Sequence, residues 1–182
     1  MVIKNDPLIQ LSVSATTRKK REKEIDGQDY FFVNQEEFKS LKVKDEFLED
    51  AQVFDNYYGT PKGAVDESLN NGHCVMFDID WQGARKIKEK YNKEEVVSIF
   101  ILPPSIEELE RRLKARAQDP QEVVQSRMDA AKSEISHYGE YDFILVNDDL
   151  NSTYQKIKSI IEAKRVSRYK KDDLQNLINQ FA

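Results

Sequence analysis

Two near-continuous apolar runs, Val96–Leu102 and Phe143–Val146, constrain this chain more than any other feature. A strand that is apolar at every position has no face to give to water. Such runs suit strands covered on both sides, as in a parallel sheet. Between and around them lie segments of helical pattern. Ser105 followed by Glu108 has the spacing of a capping box, and Ile106, Leu109 and Leu113 then fall on one face. Gln121–Tyr138 and Asn151–Arg165 are also helical in pattern, the latter with Tyr154, Ile157, Ile160 and Ile161 at core spacing. Strand, helix, strand, helix is the order of an α/β fold.

The first half adds shorter strands. Ile9, Leu11 and Val13 alternate with polar residues. Tyr30–Val33, Phe47–Phe54 and Cys74–Phe77 are further candidates. Asn34 and Glu37 form a second capping-box pair. Lys62–Asn71 should be a helix that stops at Gly72, and Gly83–Tyr91 another. Asn56–Pro61 combines two tyrosines, a glycine, a threonine and a proline, the composition of a tight turn; if extended instead, it puts Tyr58 and Thr60 on one side. The stretch from about Asp29 to Pro61 interrupts the strand–helix alternation and is expected to be an inserted mixed-β subdomain.

Several function classes fall away. One cysteine, Cys74, allows no disulfide within the chain. No apolar stretch approaches the ~20 residues that span a bilayer, and Met1–Asp6 has no signal-peptide h-region. A cytoplasmic location is the expectation. The charge of −5 and a pI near 5.2 argue against nucleic-acid binding, while leaving room for a local basic pocket for a small anion. His73 and His137 are the two histidines, and neither has metal-ligand spacing.

The candidate chemistry sits at strand ends. Ser14-Ala15-Thr16-Thr17-Arg18 follows a strand, and Arg21 comes three residues later. Arginine's planar fork matches phosphate oxygens, although on this stretch alone a solvated basic loop is the better reading. Asp78 and Asp80 close the Cys74 strand, two carboxylates on one side. They suit a water-bridged Mg²⁺ or a nucleobase, or simply cap the next helix. Arg112 and Arg116 share a helix face and Arg127 lies on the next helix, a set able to clamp a phosphoryl group. For Arg112 and Arg116 the plainer reading is strong, since Glu108, Arg112 and Arg116 at i, i+4 spacing make a solvated ion-pair ladder. Asn147-Asp148-Asp149 ends the last strand and could cap a helix or touch a ligand.

Taken in order, these segments resemble the guanylate kinase family. The resemblance runs from about Leu11 to Arg165. It is carried by Leu11–Arg18, Asp26–Tyr30, Glu46–Glu49, Asn56–Pro61, Asp78–Gly83, Phe100–Ser105, Leu109–Leu113 and Val146–Leu150. It implies an α/β fold: a parallel-sheet P-loop kinase-like core (about 1–28, 62–110 and 140–182), a GMP-binding mixed-β insert (about 29–61) and a helical lid (about 111–139). It implies phosphoryl transfer from ATP to GMP with Mg²⁺, giving ADP and GDP, and leaves the oligomeric state open. Ser14, Arg18, Arg21, Tyr30, Tyr58 and Thr60 would bind GMP. Glu49, Thr60 and Asp80 would meet the guanine edge, whose N1–H and N2–H₂ groups a carboxylate can accept. Asp78 would lie near the phosphates and the metal. Arg112, Arg116 and Arg127 would close over the transferring group, and Asn147 and Asp148 would lie beside the adenine end of ATP.

The resemblance also implies a phosphate loop, G-x-x-x-x-G-K-[ST]. None of the six glycines precedes a Lys-Ser or Lys-Thr pair at that spacing. In the family the loop lies upstream of the Leu11 strand, and Met1–Asp6 resembles the tail of the helix that follows it. The chain is thus expected to lack the first strand, the loop and most of that helix, as a truncated form or a true short variant. On that ground, activity of these 182 residues is not assured. The alternative function is a non-catalytic guanylate-kinase-like module binding GMP or a protein.

Overall fold

The computed structural model describes residues 1–53, 55–116, 121–167 and 171–181. It consists of two units, Met1–Asn92 and Lys93–Ala182. The first unit runs α1 (Val2–Asn5), β1 (Ile9–Leu11), β2 (Ala15–Thr16), β3 (Phe31–Phe32), α2 (Gln35–Val43), β4 (Phe47–Val53), β5 (Asn56–Pro61), α3 (Lys62–Asn70), β6 (Cys74–Met76) and α4 (Trp81–Lys90). The second runs β7 (Ile99–Leu102), α5 (Ile106–Arg116), α6 (Gln121–Ser136), a 3₁₀ turn at Tyr138–Glu140, β8 (Phe143–Val146), α7 (Leu150–Ser167) and α8 (Lys171–Ile178). No helix among the described residues is long and apolar enough to cross a membrane.

The first unit holds a parallel pair, β1 with β6, and a four-stranded mixed sheet ordered β3-β2-β5-β4. In the mixed sheet β2 and β3 run parallel, while β5 is antiparallel to both β2 and β4. The expected tight turn at Asn56–Pro61 is instead this central strand. The correction has a packing cause. Alternation along β5 turns Tyr57 and Gly59 to one face, where Tyr57 stacks on Phe38 with ring centroids 5.6 Å apart. A Cβ added at Gly59 would stand 2.9 Å from the Phe47 ring, so the bare glycine lets that ring lie flat against the strand. Pro61 has no N–H to give to a ladder and stands at the strand's end. The sheet also takes β2 from ahead of Asp29, so its strands begin earlier in the chain than the expected insert.

Ala15, Phe38 and Phe47 form the core beneath this sheet, joined by Val33, Leu41 and Tyr57. Helix α2 reaches it by the predicted route. The Asn34 side chain accepts from the Glu37 N–H, and the Glu37 carboxylate accepts from the Asn34 N–H, both at 2.9 Å. This box fixes the start of α2, so that Phe38 and Leu41 point inward together.

Helix α3 ends as expected, with Gly72 at φ 78° in the left-handed region. Gly63, in its first turn, is exposed, and an added Cβ there meets nothing within 4 Å. Gly63→Ala is therefore expected to stabilise the chain by about 0.4–1 kcal/mol, by restricting the unfolded state. Paired thermal melts would show it as a higher midpoint.

In the second unit β7 and β8 pair in parallel, Ile99 opposite Phe143 and Leu102 opposite Val146. The Asp142 carboxylate locks the start of the ladder by accepting from the Ser98 N–H (2.8 Å) and hydroxyl (2.7 Å). One expectation fails here. Ile101, Phe143, Ile144 and Val146 are 43–48% exposed rather than covered on both faces. Each parallel sheet of the described residues has only two strands, both of them edges, and the helices packed on them cover the faces incompletely.

Candidate functional site

The first unit concentrates its candidate residues at the end of β2 and on one face of β4 and β5. Thr16 is fully buried. Its hydroxyl donates to the Tyr57 carbonyl at 3.0 Å and accepts from the Arg18 N–H at 3.2 Å. The Thr17 hydroxyl accepts from the Tyr57 N–H at 2.9 Å. These bonds pin the chain leaving β2 to β5 and aim Arg18. The Ser14 carbonyl accepts from the Phe31 N–H at 2.9 Å, which places Ser14 at the entry to the same strand.

The Arg18 guanidinium lies over the Tyr30 ring, 5.3 Å from its centroid, and 5.7 Å from that of Phe32. Tyr30 and Tyr58 meet edge to face at 6.1 Å. Three residues far apart in sequence thus converge. Arg21 joins them through a residue that the sequence reading missed. Glu24 accepts from Arg18 Nη2 at 2.7 Å and from the Arg21 N–H at 2.8 Å, and lies 3.6 Å from Arg21 Nη1. Only its place in the same basic loop could have pointed to it. Glu24 ties down a loop that would otherwise splay under its own positive charge. The hydrogen bond from Arg18 holds the Glu24 carboxyl below its ordinary pKa. Burial works against the Arg18 charge, but Glu24 and Tyr58 outweigh it and raise the Arg18 pKa. Two guanidiniums against one carboxylate leave one positive charge, beside two aromatic hydroxyls. That is a chemistry suited to an oxyanion.

Glu49 and Thr60 reach a shared face through an irregularity in the ladder. Phe47 opposes Pro61 and Glu49 opposes Thr60, with a register shift between them. Without the shift, residues 47 and 49 would share a face. The bulge instead sends Phe47 into the core and Glu49 to the opposite side, beside Thr60 and on the side that Tyr58 occupies. Glu49 is 4% exposed and Thr60 fully buried. The Thr60 hydroxyl donates to Glu49 Oε1 at 2.6 Å. Burial raises the Glu49 pKa, opposed by the Thr60 bond and helped by the nearby Asp80 charge.

Asp80 is the N-cap of α4. Its Oδ1 accepts from the Gly83 N–H and its Oδ2 from Gln82 Nε2, both at 2.9 Å. Asp78 is exposed. Helix α4 is stapled to β4 by Lys86 and Lys90, whose ammonium groups donate to the carbonyls of Asp50 and Leu48.

The other candidates belong to the second unit. Glu108 accepts from both Arg111 and Arg112, at 2.6–2.7 Å, which holds its carboxyl at about 2. Arg111 thus joins the expected ladder. Arg112 Nη2 donates to the Asn147 carbonyl at 3.0 Å. Asn147 Oδ1 accepts from the Thr153 hydroxyl at 3.1 Å, and Asp148 Oδ1 from the Asp149 N–H at 2.8 Å. Asp149 is the residue that caps α7, accepting from the Ser152 N–H at 2.7 Å. Arg127 is half-buried on α6, whereas the Arg116 side chain lies outside the described residues, as does Phe54. His137 pairs with Glu140 at 2.7 Å, while His73 Nδ1 is buried without a hydrogen-bond partner among the described residues.

The guanylate kinase family model matches residues 2–164. The chain belongs to the guanylate kinase family. It is 50% identical over 180 residues to the guanylate kinase of Paramagnetospirillum magneticum, covering 99% of this chain and 84% of that one. The guanylate kinase of Rickettsia bellii is 53% identical over 163 residues, covering 90% and 84%. The crystal structure of guanylate kinase from Anaplasma phagocytophilum superposes with a TM-score of 0.78 at 39% identity, over 95% of this chain and 85% of that one. The α/β fold expected from the sequence is that of the family.

Proposed function

We propose that this chain serves a nucleoside monophosphate kinase reaction, phosphoryl transfer from ATP to GMP giving ADP and GDP, which it completes only together with a phosphate loop. The observation that carries the reading is the shared ligand face of the mixed sheet. Tyr58 and Thr60 stand two residues apart on β5, Tyr58 with Arg18 and Tyr30, Thr60 with the buried Glu49. An anion-binding end and an acceptor end on one strand match a purine nucleoside monophosphate. Arg18, Arg21, Tyr30 and Tyr58 would hold the phosphate, and Ser14 would belong to the same GMP site. Glu49, Thr60 and Asp80 would take the guanine edge. Adenine presents the opposite donor pattern there, so a carboxylate discriminates against it.

Arg112, Arg116 and Arg127 would neutralise the transferring group, and Asn147 and Asp148 would attend the adenine of ATP. Catalysis of this kind is positioning plus charge neutralisation and needs no covalent nucleophile. The donor set fits a Mg²⁺ carried in on ATP phosphates and water. Asp78 is an exposed carboxylate, and no group of three or more His, Cys, Asp and Glu gathers among the described residues. The ion would supply charge neutralisation at the β- and γ-oxygens. A cytoplasmic setting suits these substrates.

We also propose that turnover needs a phosphate loop, a motif these 182 residues do not contain. The test separates binding from chemistry. Calorimetric titration of the chain should show GMP binding and far weaker AMP binding. ADP release from ATP and Mg²⁺ should depend on GMP only in a chain extended by a strand, a G-x-x-x-x-G-K-[ST] loop and a helix. Turnover by the unextended chain would remove the loop requirement. GMP binding without turnover in either chain would leave a non-catalytic GMP-binding module.

A further inference from the structure

We infer that Gly83 is a positioning residue for guanine recognition, an inference that rests on the GMP reading of this face. Gly83 stands in the first turn of α4, where the two carboxylates proposed to meet the base come together. Its N–H donates to Asp80 Oδ1 at 2.9 Å. On its other side, a Cβ added to Gly83 would stand 2.7 Å from Glu49 Oε2, 3.1 Å from Glu49 Cδ and 3.2 Å from Ile79 Cβ. The first distance is shorter than real Cβ contacts, so something must move.

Neither partner can move without loss. Glu49 is 4% exposed and held by the Thr60 hydroxyl at 2.6 Å, so swinging the carboxylate breaks that bond in a buried site. The helix cannot retreat either. Lys90 and Lys86 grip the carbonyls of Leu48 and Asp50, the two residues that flank Glu49. One turn of α4 thus sets both carboxylates, one through a backbone N–H and the other through the absence of a side chain. A methyl group at residue 83 displaces Glu49 while leaving the Arg18, Tyr30 and Tyr58 end untouched. The lesion falls on base recognition, not on phosphate binding.

The test is Gly83→Ala, with Gly63→Ala as a control, since Gly63 sits in a helix of the same unit with nothing within 4 Å of its added Cβ. Binding of GMP and of inosine monophosphate, which lacks the 2-amino group, is measured by titration on the full chain. The expected result is a folded variant whose GMP affinity falls by roughly 10- to 100-fold, the worth of hydrogen bonds to a charged acceptor. Its preference for GMP over inosine monophosphate should collapse, while Gly63→Ala keeps both. Unchanged GMP binding by folded Gly83→Ala overturns the inference. If the wild-type chain fails to bind GMP, it is the functional reading that falls. If Gly83→Ala does not fold, the double variant Glu49→Ala/Gly83→Ala decides. Removing the clashing carboxylate must restore a melting transition matching that of Glu49→Ala, and a double variant that stays unfolded overturns the inference.

Discussion

Replacing Glu49 by Gln is expected to weaken GMP binding by roughly 10- to 100-fold, the worth of hydrogen bonds to a charged acceptor, while leaving the protein at least as stable. The two effects part because the carboxylate sits where folding would not choose a charge. Glu49 is 4% exposed, and burial raises its pKa above the ordinary 4.5. The Thr60 hydroxyl, 2.6 Å from Oε1, can donate equally well to an amide oxygen, so the substitution does not orphan that hydroxyl. What it removes is one of the acceptors proposed for the guanine N–H groups, replaced in part by a donor.

The sign of the pH dependence follows. A carboxyl whose folded pKa is raised contributes stability below its unfolded pKa and loses it as pH rises through the folded value. The difference between wild type and Glu49→Gln should therefore be small near pH 4 and should grow in favour of the variant on going to neutral pH. Glu24 and Asp50, whose pKa values are lowered, destabilise both proteins alike in acid and cancel in the difference. Paired melts at the two pH values, with GMP titrations at pH 7.5, check both halves. A variant clearly less stable than wild type at neutral pH would show that the charge is compensated in the fold.

Phe38→Ala should carry the largest stability cost, about 3–5 kcal/mol for emptying a buried aromatic site. Phe38 is 2% exposed and stacks on Phe47 at 4.6 Å and on Tyr57 at 5.6 Å. Those rings come from three successive elements, so nothing nearby can collapse into the cavity without unseating α2 from the sheet. In a unit of this size the loss corresponds to a fall in melting midpoint of roughly 12 °C or more. Phe38→Leu, which keeps most of the volume, should cost less than half as much. The same change should also weaken GMP binding, because Phe47 is the core-side anchor of the bulge that turns Glu49 outward. Equal melting curves for wild type and Phe38→Ala would show that this cluster is not what holds the mixed sheet together.

The sequence by itself settled what short-range physics controls. Apolar periodicity assigned strands and helices, and the Asn34–Glu37 box and Gly72 marked helix ends, because caps and left-handed glycines depend on a few consecutive residues. Ordered motifs named the family and most of the candidate residues. Long-range register was not legible. Asn56–Pro61 has a turn's composition and becomes a central strand only because β2 and β4 flank it and the Phe38 and Phe47 rings pack beneath it. Glu24 could not be singled out among the charges of its loop until Arg18 and Arg21 were seen to close on it. The exposed faces of β7 and β8 likewise depend on which strands lie beside them, which local pattern does not encode. The one-residue shift between Phe47 and Glu49 is the clearest case. Two residues that alternation would put on one face end on opposite faces, one in the core and one at the candidate site. That outcome belongs to strand pairing, a balance among contacts distant in sequence, and only the tertiary structure could decide it.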